Sequence, residues 1–274
     1  MSLLKVSELA LYPVKSCAQI TVNATRVDNF GLQNDRRWMV VDQQGKYITQ
    51  RQQSRMCLIQ VELIKTESSN SKHDYSIRLT APDMPALNVV IPGSPTSLKV
   101  KIWHDNCNAF DCGPEAAQWL SRFLMVPCQL VFFPENEIRQ VDVNFADAGD
   151  RTAFSDGFPL LLISEASLDN LNSKLDVAIP MKRFRPNIVV TGCNPFDEDN
   201  WKMLRIGELL LRVVKPCSRC VIPSIDTETG ERGNEPTKTL LTFRKHNTKI
   251  FFGQNVIASN PGNIAVGDTV EIIN

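Results

Sequence analysis

The sequence lacks both an excess of charge of either sign and any long apolar run. It has 30 Lys and Arg residues against 30 Asp and Glu residues in a chain of 274. This balance excludes a bulk electrostatic attraction to nucleic acid or to an acidic membrane surface, so any anion site must be local. No segment approaches the roughly 18 consecutive apolar residues of a membrane-spanning helix. Lys5 and Glu8 stand where a signal peptide has its apolar centre, so we expect a cytoplasmic protein without nucleic-acid or membrane partners.

Histidine is also scarce, and the cysteines are scattered. The three histidines lie in polar stretches, which favours surface positions over a metal-ligand cluster. Eight scattered cysteines in a cytosolic protein are usually reduced and buried, and they do not predict a disulfide framework. A plant-type iron–sulfur cluster is excluded because Glu115 stands where a third cysteine is required. A zinc site would combine the pairs Cys107/Cys112 and Cys217/Cys220, whose spacing is a weak signal, and this alternative stays open.

The most informative stretch, residues 213–226, sets two thiols and two cations in an otherwise apolar, strand-like run. Residues three apart on an extended strand face opposite sides, so Cys217 and Cys220 can act together only if Pro216 or Ser218 turns the chain. A thioredoxin-like site needs a helix after its first cysteine, and the apolar, proline-containing residues after Cys220 predict none. What remains is a single cysteine ligand to a metal whose other ligands come from a cofactor.

Strand signals dominate the first ninety or so residues. Strands are expected over 21–27, 37–42, 47–49, 57–64, 75–79 and 98–103. Turn residues at 43–46 join the second and third of these strands into a hairpin. The polar stretch 66–74 predicts an exposed loop. This half of the chain is typical of a small β-barrel or sandwich.

Two helices are predicted in the remainder of the chain. Apolar residues at helical spacing predict one over 114–125, with proline at its first position. Ser164 is the predicted N-cap of the second, and the polar stretch 134–152 predicts a mobile cover over a site. Further strands are expected over 158–163, 188–191, 209–214, 221–225, 250–252 and 269–273. Two helices among many strands predict an α+β fold, mainly β, built on β-barrels.

Cationic side chains recur at strand edges and turns. They are Lys15, Arg36, Arg37, Arg51, Arg183, Arg185 and Arg219. One such residue alone is usually a solvated charge. So many beside Pro, Ser, Asn and Asp predict donors that converge on a phosphate or another oxyanion, because the planar guanidinium can bind such groups through two N–H bonds.

A set of short motifs runs in order from near residue 10 to the C-terminus. They are Tyr12-Pro13-Val14-Lys15-Ser16, Gly31-Leu32, Asp35-Arg36-Arg37-Trp38, Thr49-Gln50-Arg51-Gln52, Ser164-Glu165-Ala166-Ser167-Leu168, Phe184-Arg185-Pro186-Asn187-Ile188, Cys217-Ser218-Arg219-Cys220, Asp226 with Thr229-Gly230, and Phe252-Gly253-Gln254-Asn255. Each motif alone is a weak signal, whereas the ordered set is a strong one. With it the chain resembles the MOSC family of molybdenum-cofactor proteins, in the branch that includes the mitochondrial amidoxime-reducing component and its bacterial relatives.

The resemblance implies an N-terminal β-barrel domain, residues 1–95, packed on a β-barrel-like MOSC domain with a few helices, residues 96–274. A pterin-dithiolene molybdenum cofactor would lie between them. Cys220 would be the catalytic residue and the protein thiolate on molybdenum, and Cys217 would be structural. The pterin and its phosphate would be held by Lys15, Ser16, Arg36, Arg185, Asn187, Ser218 and Arg219, with Asp156 and Asn255 bordering the pocket.

The resemblance also implies an oxidoreductase that reduces small N-hydroxylated compounds and releases the oxygen as water. Some bacterial relatives end in a ferredoxin domain, whereas this sequence ends at Asn274, so either electrons come from a separate ferredoxin- or flavin-type protein or a C-terminal domain of that kind has been removed. The alternative is a cofactor- or sulfur-carrier module without turnover of its own. Pyridoxal phosphate binding is a further expectation attached to the family. The chain departs from the mitochondrial branch at Asn255, where that branch has an aromatic residue, and at Gly157-Phe158, where it has small polar residues.

Overall fold

The computed structural model describes residues 3–65, 75–91 and 95–273, and most of its regular structure is β-strand. In chain order the strands are β1 (Lys5–Leu11), β2 (Ile20–Val22), β3 (Ala24–Asp28), β4 (Gly31–Leu32), β5 (Trp38–Asp42), β6 (Gln60–Lys65), β7 (Tyr75–Thr80), β8 (Leu87–Val89), β9 (Ser97–Ile102), β10 (Asp105–Asp111), β11 (Cys128–Phe132), β12 (Leu160–Ser164), β13 (Ile188–Thr191), β14 (Met203–Ile206), β15 (Leu209–Arg219), β16 (Lys245–His246), β17 (Lys249–Ala258), β18 (Gly262–Ala265) and β19 (Val270–Ile273). The α-helices are α1 (Pro114–Leu124), α2 (Glu165–Asn172) and α3 (Thr237–Phe243). The loop predicted at 66–74 lies outside the described residues.

The largest sheet joins the start of the chain to its second half. Its strand order is β19-β14-β15-β17-β12-β13-β1-β2, and β16 also pairs with β17. The pair β12 and β13 is parallel, whereas β1 runs antiparallel to β13 with Leu9 opposite Ile188. The end of β1 therefore lies beside the start of β13. This pairing brings the loop that follows β1 next to the loop that precedes β13.

A second sheet, in the order β5-β11-β10-β9, combines strands that are distant in the chain. It joins a strand within residues 1–95 to three strands beyond residue 95, across the predicted domain boundary, which stays a prediction. Two three-stranded sheets, β18-β3-β4 and β6-β7-β8, complete the β structure of the described residues.

Strand β5 takes part in two separate cores because alternate side chains of a strand face opposite sides. Trp38 and Val40 pack with Trp119 of α1 and with apolar residues of β6, β7 and β8. Met39 and Val41 pack on the other side, in the cluster that contains Phe133 and Phe154. The segment that precedes β12 is therefore anchored in this packing through Phe154.

The mainly β fold class and several local predictions are confirmed. Helix α1 matches the predicted helix at 114–125, and its apolar stripe, including Trp119 and Phe123, is buried. Ser164 is the N-cap of α2, and its hydroxyl accepts a hydrogen bond from the backbone N–H of Ser167. None of the helices in the described part of the chain is both long and apolar enough to cross a membrane.

Two local predictions are wrong, and one helix was missed. The strand predicted at 221–225 is instead a 3-10 helix, Ile222–Ser224, because Pro223 lacks the N–H that a strand ladder needs. The strand predicted at 21–27 divides at Asn23 into β2 and β3, which belong to different sheets. Helix α3 was not predicted, since its seven residues are too short for a clear periodic signal.

Candidate functional site

All ten residues that the resemblance nominates line one cavity of about 390 Å³. They are Lys15, Ser16, Arg36, Asp156, Arg185, Asn187, Ser218, Arg219, Cys220 and Asn255. The volume lies within the range of small-molecule and cofactor sites. Arg51, which the sequence nominated only as one of several cationic donors, also lines the cavity, as do Trp103, Phe158 and Lys215, which were given no site role. The placement of the ten residues is a finding, and their individual roles stay predictions.

Irregular pairing of β15 brings the cysteine segment to the cavity wall. The register between β15 and β17 shifts after Val213 and again after Pro216. At the second shift Cys217 faces two residues of β17, one of which, Gly253, has a φ of 79°. Bulges of this kind bend a strand and redirect its side chains. As a result, Cys217 and Cys220 both line the cavity despite their spacing of three.

Asp156 links two cations at the cavity wall. Its Oδ1 lies 2.5 Å from Lys15 Nζ, and its Oδ2 lies 3.0 Å from Arg51 Nη2. Burial alone would raise the pKa of Asp156, but attraction from Lys15 and Arg51 and their hydrogen bonds outweigh it and hold the pKa well below its usual range. Arg51 Nη2 also donates to Cys220 Sγ at 3.3 Å. Both halves of the chain therefore contribute charged groups around the thiol.

Lys15 is almost completely buried, with 5% of its surface exposed. Its ammonium donates to the carbonyl of Phe154 at 2.7 Å as well as to Asp156. Burial lowers the pKa of Lys15 from 10.5 to about 8, although Asp156 opposes the change. The change of protonation of Lys15 therefore lies only slightly above neutral pH.

Arg36 and Arg185 stand together over Tyr12, with guanidinium carbons 4.3 and 4.2 Å from the centroid of its ring. Arg36 Nη1 donates to Asn187 Oδ1 at 2.9 Å and also to Asp35. Arg185 Nη1 donates to a backbone carbonyl at 2.7 Å. These contacts hold two like charges close together, which favours an anion between or beside them.

Three of these cavity residues have strained backbones. Ser16, Arg36 and Arg185 have φ values of 70°, 47° and 59°. The left-handed region costs a residue other than glycine about 1–2 kcal/mol, and such strain concentrates at functional sites. All three residues belong to the short motifs of the sequence, and each follows or precedes a strand that holds its backbone in place.

The remaining predicted residues lie along β15 and β17. Arg219 Nη2 donates to the carbonyl of Phe184 at 2.6 Å, and its Nη1 lies 3.1 Å from Cys217 Sγ. Cys217 therefore contacts a cavity cation as well as contributing to the strand. Asn255 Nδ2 donates to the carbonyl of Lys215 at 3.2 Å, and Ser218 is exposed at the cavity.

The cavity fits an anionic ligand. It is lined by six cations, Lys15, Arg36, Arg51, Arg185, Lys215 and Arg219, and by one carboxylate, that of Asp156. Among the described residues, five buried guanidinium nitrogens have no hydrogen-bond partner, and three of them belong to the cavity: Arg51 Nη1, Arg185 Nη2 and Arg219 Nε. A buried donor without an acceptor is costly, and one at a site often marks a missing ligand. A phosphate-bearing pterin with a dithiolene matches this set of donors in charge and in chemistry.

The zinc alternative is not supported by the positions of its cysteines. Cys107 is buried in the core that contains Met39, and Cys112 is buried in the separate core that contains Trp38. Cys217 and Cys220 instead line the cavity. Within residues 3–65, 75–91 and 95–273, no three His, Cys, Asp or Glu side chains are arranged to hold a metal ion. These positions do not bring the four cysteines together, and they leave Cys217 and Cys220 at the cavity.

The fold and the cavity together define a class: a mainly β protein with a cation-lined cavity and cysteine thiols in its wall. The family described as the MOSC N-terminal beta barrel domain matches residues 3–127, and the MOSC domain matches residues 149–271. Mitochondrial amidoxime-reducing component 1 of Mus musculus is 34% identical over 286 residues, which cover 98% of this chain and 82% of that protein. The Homo sapiens protein of the same name is 34% identical over 288 residues, with the same coverage.

Mitochondrial amidoxime reducing component 2 of Bos taurus is 33% identical over 289 residues, which cover 97% of this chain and 82% of that protein. Among solved structures, YiiM from Geobacillus stearothermophilus aligns with 43% of this chain and 55% of its own, with 13% identity and a TM-score of 0.33, too weak a likeness to support an inference. The chain belongs to the MOSC family, in the branch of the amidoxime-reducing components.

Proposed function

We propose that this protein is a molybdenum-cofactor-dependent reductase of N-hydroxylated compounds. The observation that carries the proposal is the position of Cys220, whose sulfur lies in the wall of a cavity lined by six cations. The family supports it, since relatives that match nearly the whole chain are named for amidoxime reduction. When bound, the cofactor would supply two-electron redox chemistry at its metal.

The chain's own residues would bind and orient that cofactor. Cys220 would supply the one protein thiolate, a soft ligand suited to a redox metal. Charge and the unpartnered N–H groups of Arg185 and Arg219 support a role in holding the pterin and its phosphate. Ser16, Arg36, Asn187 and Ser218 would complete this set, with Asn255 at its border. Lys15 and Asp156 would sit beside the reacting end of the cavity, since their network reaches Cys220 through Arg51.

The proposed reaction converts N–OH to N–H with release of water, and it consumes two electrons and two protons. Lys15 Nζ, with a pKa of about 8, holds a proton at neutral pH and would supply it to the cavity that it lines, whereas the Asp156 carboxylate, whose pKa lies well below its usual range, would stay ionised beside it. The electrons would come from a separate redox protein of the ferredoxin or flavin type. The cytoplasmic location and the family association with pyridoxal phosphate stay predictions.

The test combines metal analysis with turnover. Protein expressed in cells that make the cofactor is expected to contain molybdenum and to reduce a hydroxylamine or an amidoxime with an artificial electron donor. Cys220→Ala is expected to abolish reduction and keep the fold, because a partly exposed cavity thiol contributes little packing. Cys193→Ala, at a partly exposed cysteine outside the cavity, is the matched control. Unimpaired reduction by Cys220→Ala would remove the ligand assignment, and bound molybdenum without reduction by any donor would favour the carrier alternative.

A further inference from the structure

Arg51 lies at the centre of the contacts around Cys220. Its Nη2 is 3.0 Å from Asp156 Oδ2 and 3.3 Å from Cys220 Sγ. Its guanidinium carbon lies 4.8 Å from the centroid of the Trp103 ring. A planar guanidinium held by a carboxylate and packed on an aromatic ring has little freedom to rotate. The N–H that reaches the sulfur therefore has a fixed direction.

The other side of Asp156 is fixed as well. Its Oδ1 accepts from Lys15, and its backbone carbonyl accepts from Arg139 Nη2 at 3.1 Å. Arg139 is buried and also binds the carbonyl of Ser155 at 2.6 Å. The carboxylate that holds Arg51 is thus attached to the fold through both its side chain and its backbone.

The backbone of Arg51 is held by a residue outside the cavity. Arg232 Nη2 donates to the carbonyl of Arg51 at 2.8 Å and to that of Gln50 at 3.2 Å. Arg232 is exposed and does not line the cavity. It lies in the loop that follows Cys220, which is closed by a bond from Asp226 N to the carbonyl of Glu231 at 2.8 Å. The segment after Cys220 therefore binds, through Arg232, the backbone of the loop that carries Arg51. Arg51 in turn donates to the sulfur of Cys220.

We propose that Arg51 is a positioning residue for the sulfur of Cys220, and that Arg232 acts on this sulfur through Arg51. The proposal rests on the proposed function, in which Cys220 is a metal ligand. A hydrogen bond to a ligating sulfur fixes the direction of its lone pairs and withdraws electron density from it, and such bonds set reduction potentials in metal–thiolate sites. Without the donor, the sulfur would give more charge to the metal and the potential would fall.

The experiment compares six forms of the full-length, cofactor-loaded protein. They are the unaltered protein, Arg51→Met, Arg51→Lys, Arg232→Met, the double variant of Arg51→Met with Arg232→Met, and Arg205→Met. Molybdenum per chain, the midpoint potential followed by electron paramagnetic resonance, and kcat and KM with an artificial donor are measured for each. Arg205 is the control, since it is exposed on β14 and pairs only loosely with Glu271, at 3.7 Å.

We expect the variants at Arg51 and Arg232 to change kcat and the midpoint potential but not KM or the molybdenum content. Arg51→Met should keep its molybdenum, lower kcat per molybdenum about 10- to 100-fold and lower the potential, with KM unchanged, because a residue hydrogen-bonded to a metal ligand acts on the metal more than on the substrate. Arg51→Lys should restore part of the loss. Arg232→Met should change the same quantities in the same direction but less. The double variant should match Arg51→Met, since the two residues act along one route.

Each of the following contrary results would overturn one part of the proposal. An unchanged potential and kcat in Arg51→Met would overturn the role of Arg51. Loss of molybdenum with unchanged kcat on the metal that remains would also overturn it and would make Arg51 an anchor of the cofactor. Effects that multiply in the double variant would overturn the route from Arg232. Arg51→Leu, which also lacks an N–H donor, replaces Arg51→Met if the latter fails to fold. Unaltered protein that lacks molybdenum, or that holds it and reduces nothing, would refute the proposed function itself.

Discussion

Arg36 and Asn187, 151 residues apart in the chain, are joined by a hydrogen bond of 2.9 Å between Nη1 and Oδ1. The Asn187 side chain is buried, with 1% of the residue exposed. Its Nδ2 donates to the carbonyl of Ala10 at 3.2 Å, and its Oδ1 also accepts from the N–H of Leu161 at 3.2 Å. One amide therefore ties β1, β12 and a cavity cation to each other.

Asn187→Ala is expected to lower the free energy of unfolding by about 2–4 kcal/mol, because it leaves buried polar groups without partners. Denaturant unfolding of the cofactor-free protein measures the change. Asn106→Ala, at an exposed asparagine of β10, is the control and should stay within about 0.5 kcal/mol of the unaltered protein. Equal effects at the two positions would show that the amide of Asn187 is not structural.

The buried ammonium of Lys15 should give a distinct pH dependence of stability. Its pKa is about 8 in the folded protein against an ordinary value of 10.5 for a solvated lysine, so between these values the unfolded chain binds a proton that the folded chain lacks. The free energy of unfolding should therefore rise with pH through this window relative to Lys15→Met, by at most about 3 kcal/mol. This increase in the free energy of unfolding is fully present above pH 10.5 and is lost as the pH falls through about 8.

Unfolding curves at several pH values between 7 and 10.5 test this dependence, with Lys101→Met at an exposed lysine as the control. The Lys101→Met protein should track the unaltered one. Parallel curves for Lys15→Met and Lys101→Met would mean that Lys15 titrates like a surface lysine.

Gly253 should be intolerant of any side chain. It has a φ of 79°, and a Cβ there would lie 2.6 Å from Ile163 Cγ1 and 2.9 Å from the carbonyl oxygen of Leu162. Gly253→Ala is expected to cost more than the roughly 1 kcal/mol of left-handed strain alone, because the neighbouring strand must also move. Gly207→Ala, with a φ of 56° and open space around it, isolates the strain. Thermal unfolding should show a clearly larger drop for Gly253→Ala, and equal drops would contradict the clash.

Arg139 should be needed to hold the segment that presents Asp156. Its guanidinium binds the carbonyls of Ala153 at 2.9 Å, Ser155 at 2.6 Å and Asp156 at 3.1 Å. Arg139→Met should destabilise the protein by about 2–4 kcal/mol, since buried acceptors lose their donor. Amide hydrogen exchange of residues 153–156 should become faster. Arg78→Met, at an exposed arginine of β7, should leave exchange in this segment unchanged.

Much of the site was predictable because its residues belong to short motifs at strand ends. The loop that contains Lys15 and Ser16 meets the loop that contains Arg185 and Asn187 because β1 pairs with β13. The motifs nominate these residues without any knowledge of that pairing. The structure supplies the pairing, which explains why residues so far apart in sequence share one cavity.

Other features depend on tertiary contacts that local patterns do not encode. Arg51 has the local pattern of a surface cation, and only the fold places it between Asp156, Trp103 and Cys220. The run at 221–225 has the composition of a strand, but bonds from Ser224 N to Val221 O and from Ile225 N to Ile222 O curl it into a turn. The composition of this run therefore predicted the wrong backbone conformation.

The left-handed backbones of Ser16, Arg36 and Arg185 have a consequence for anything that enters the cavity. The surrounding sheets hold these rarely populated backbone conformations in place before an anion binds. An anion that binds therefore enters a preorganised cavity, and little binding free energy is lost in ordering the protein. Selectivity would then follow from shape and charge placement, and poorly matched anions would be rejected because the host does not adapt to them.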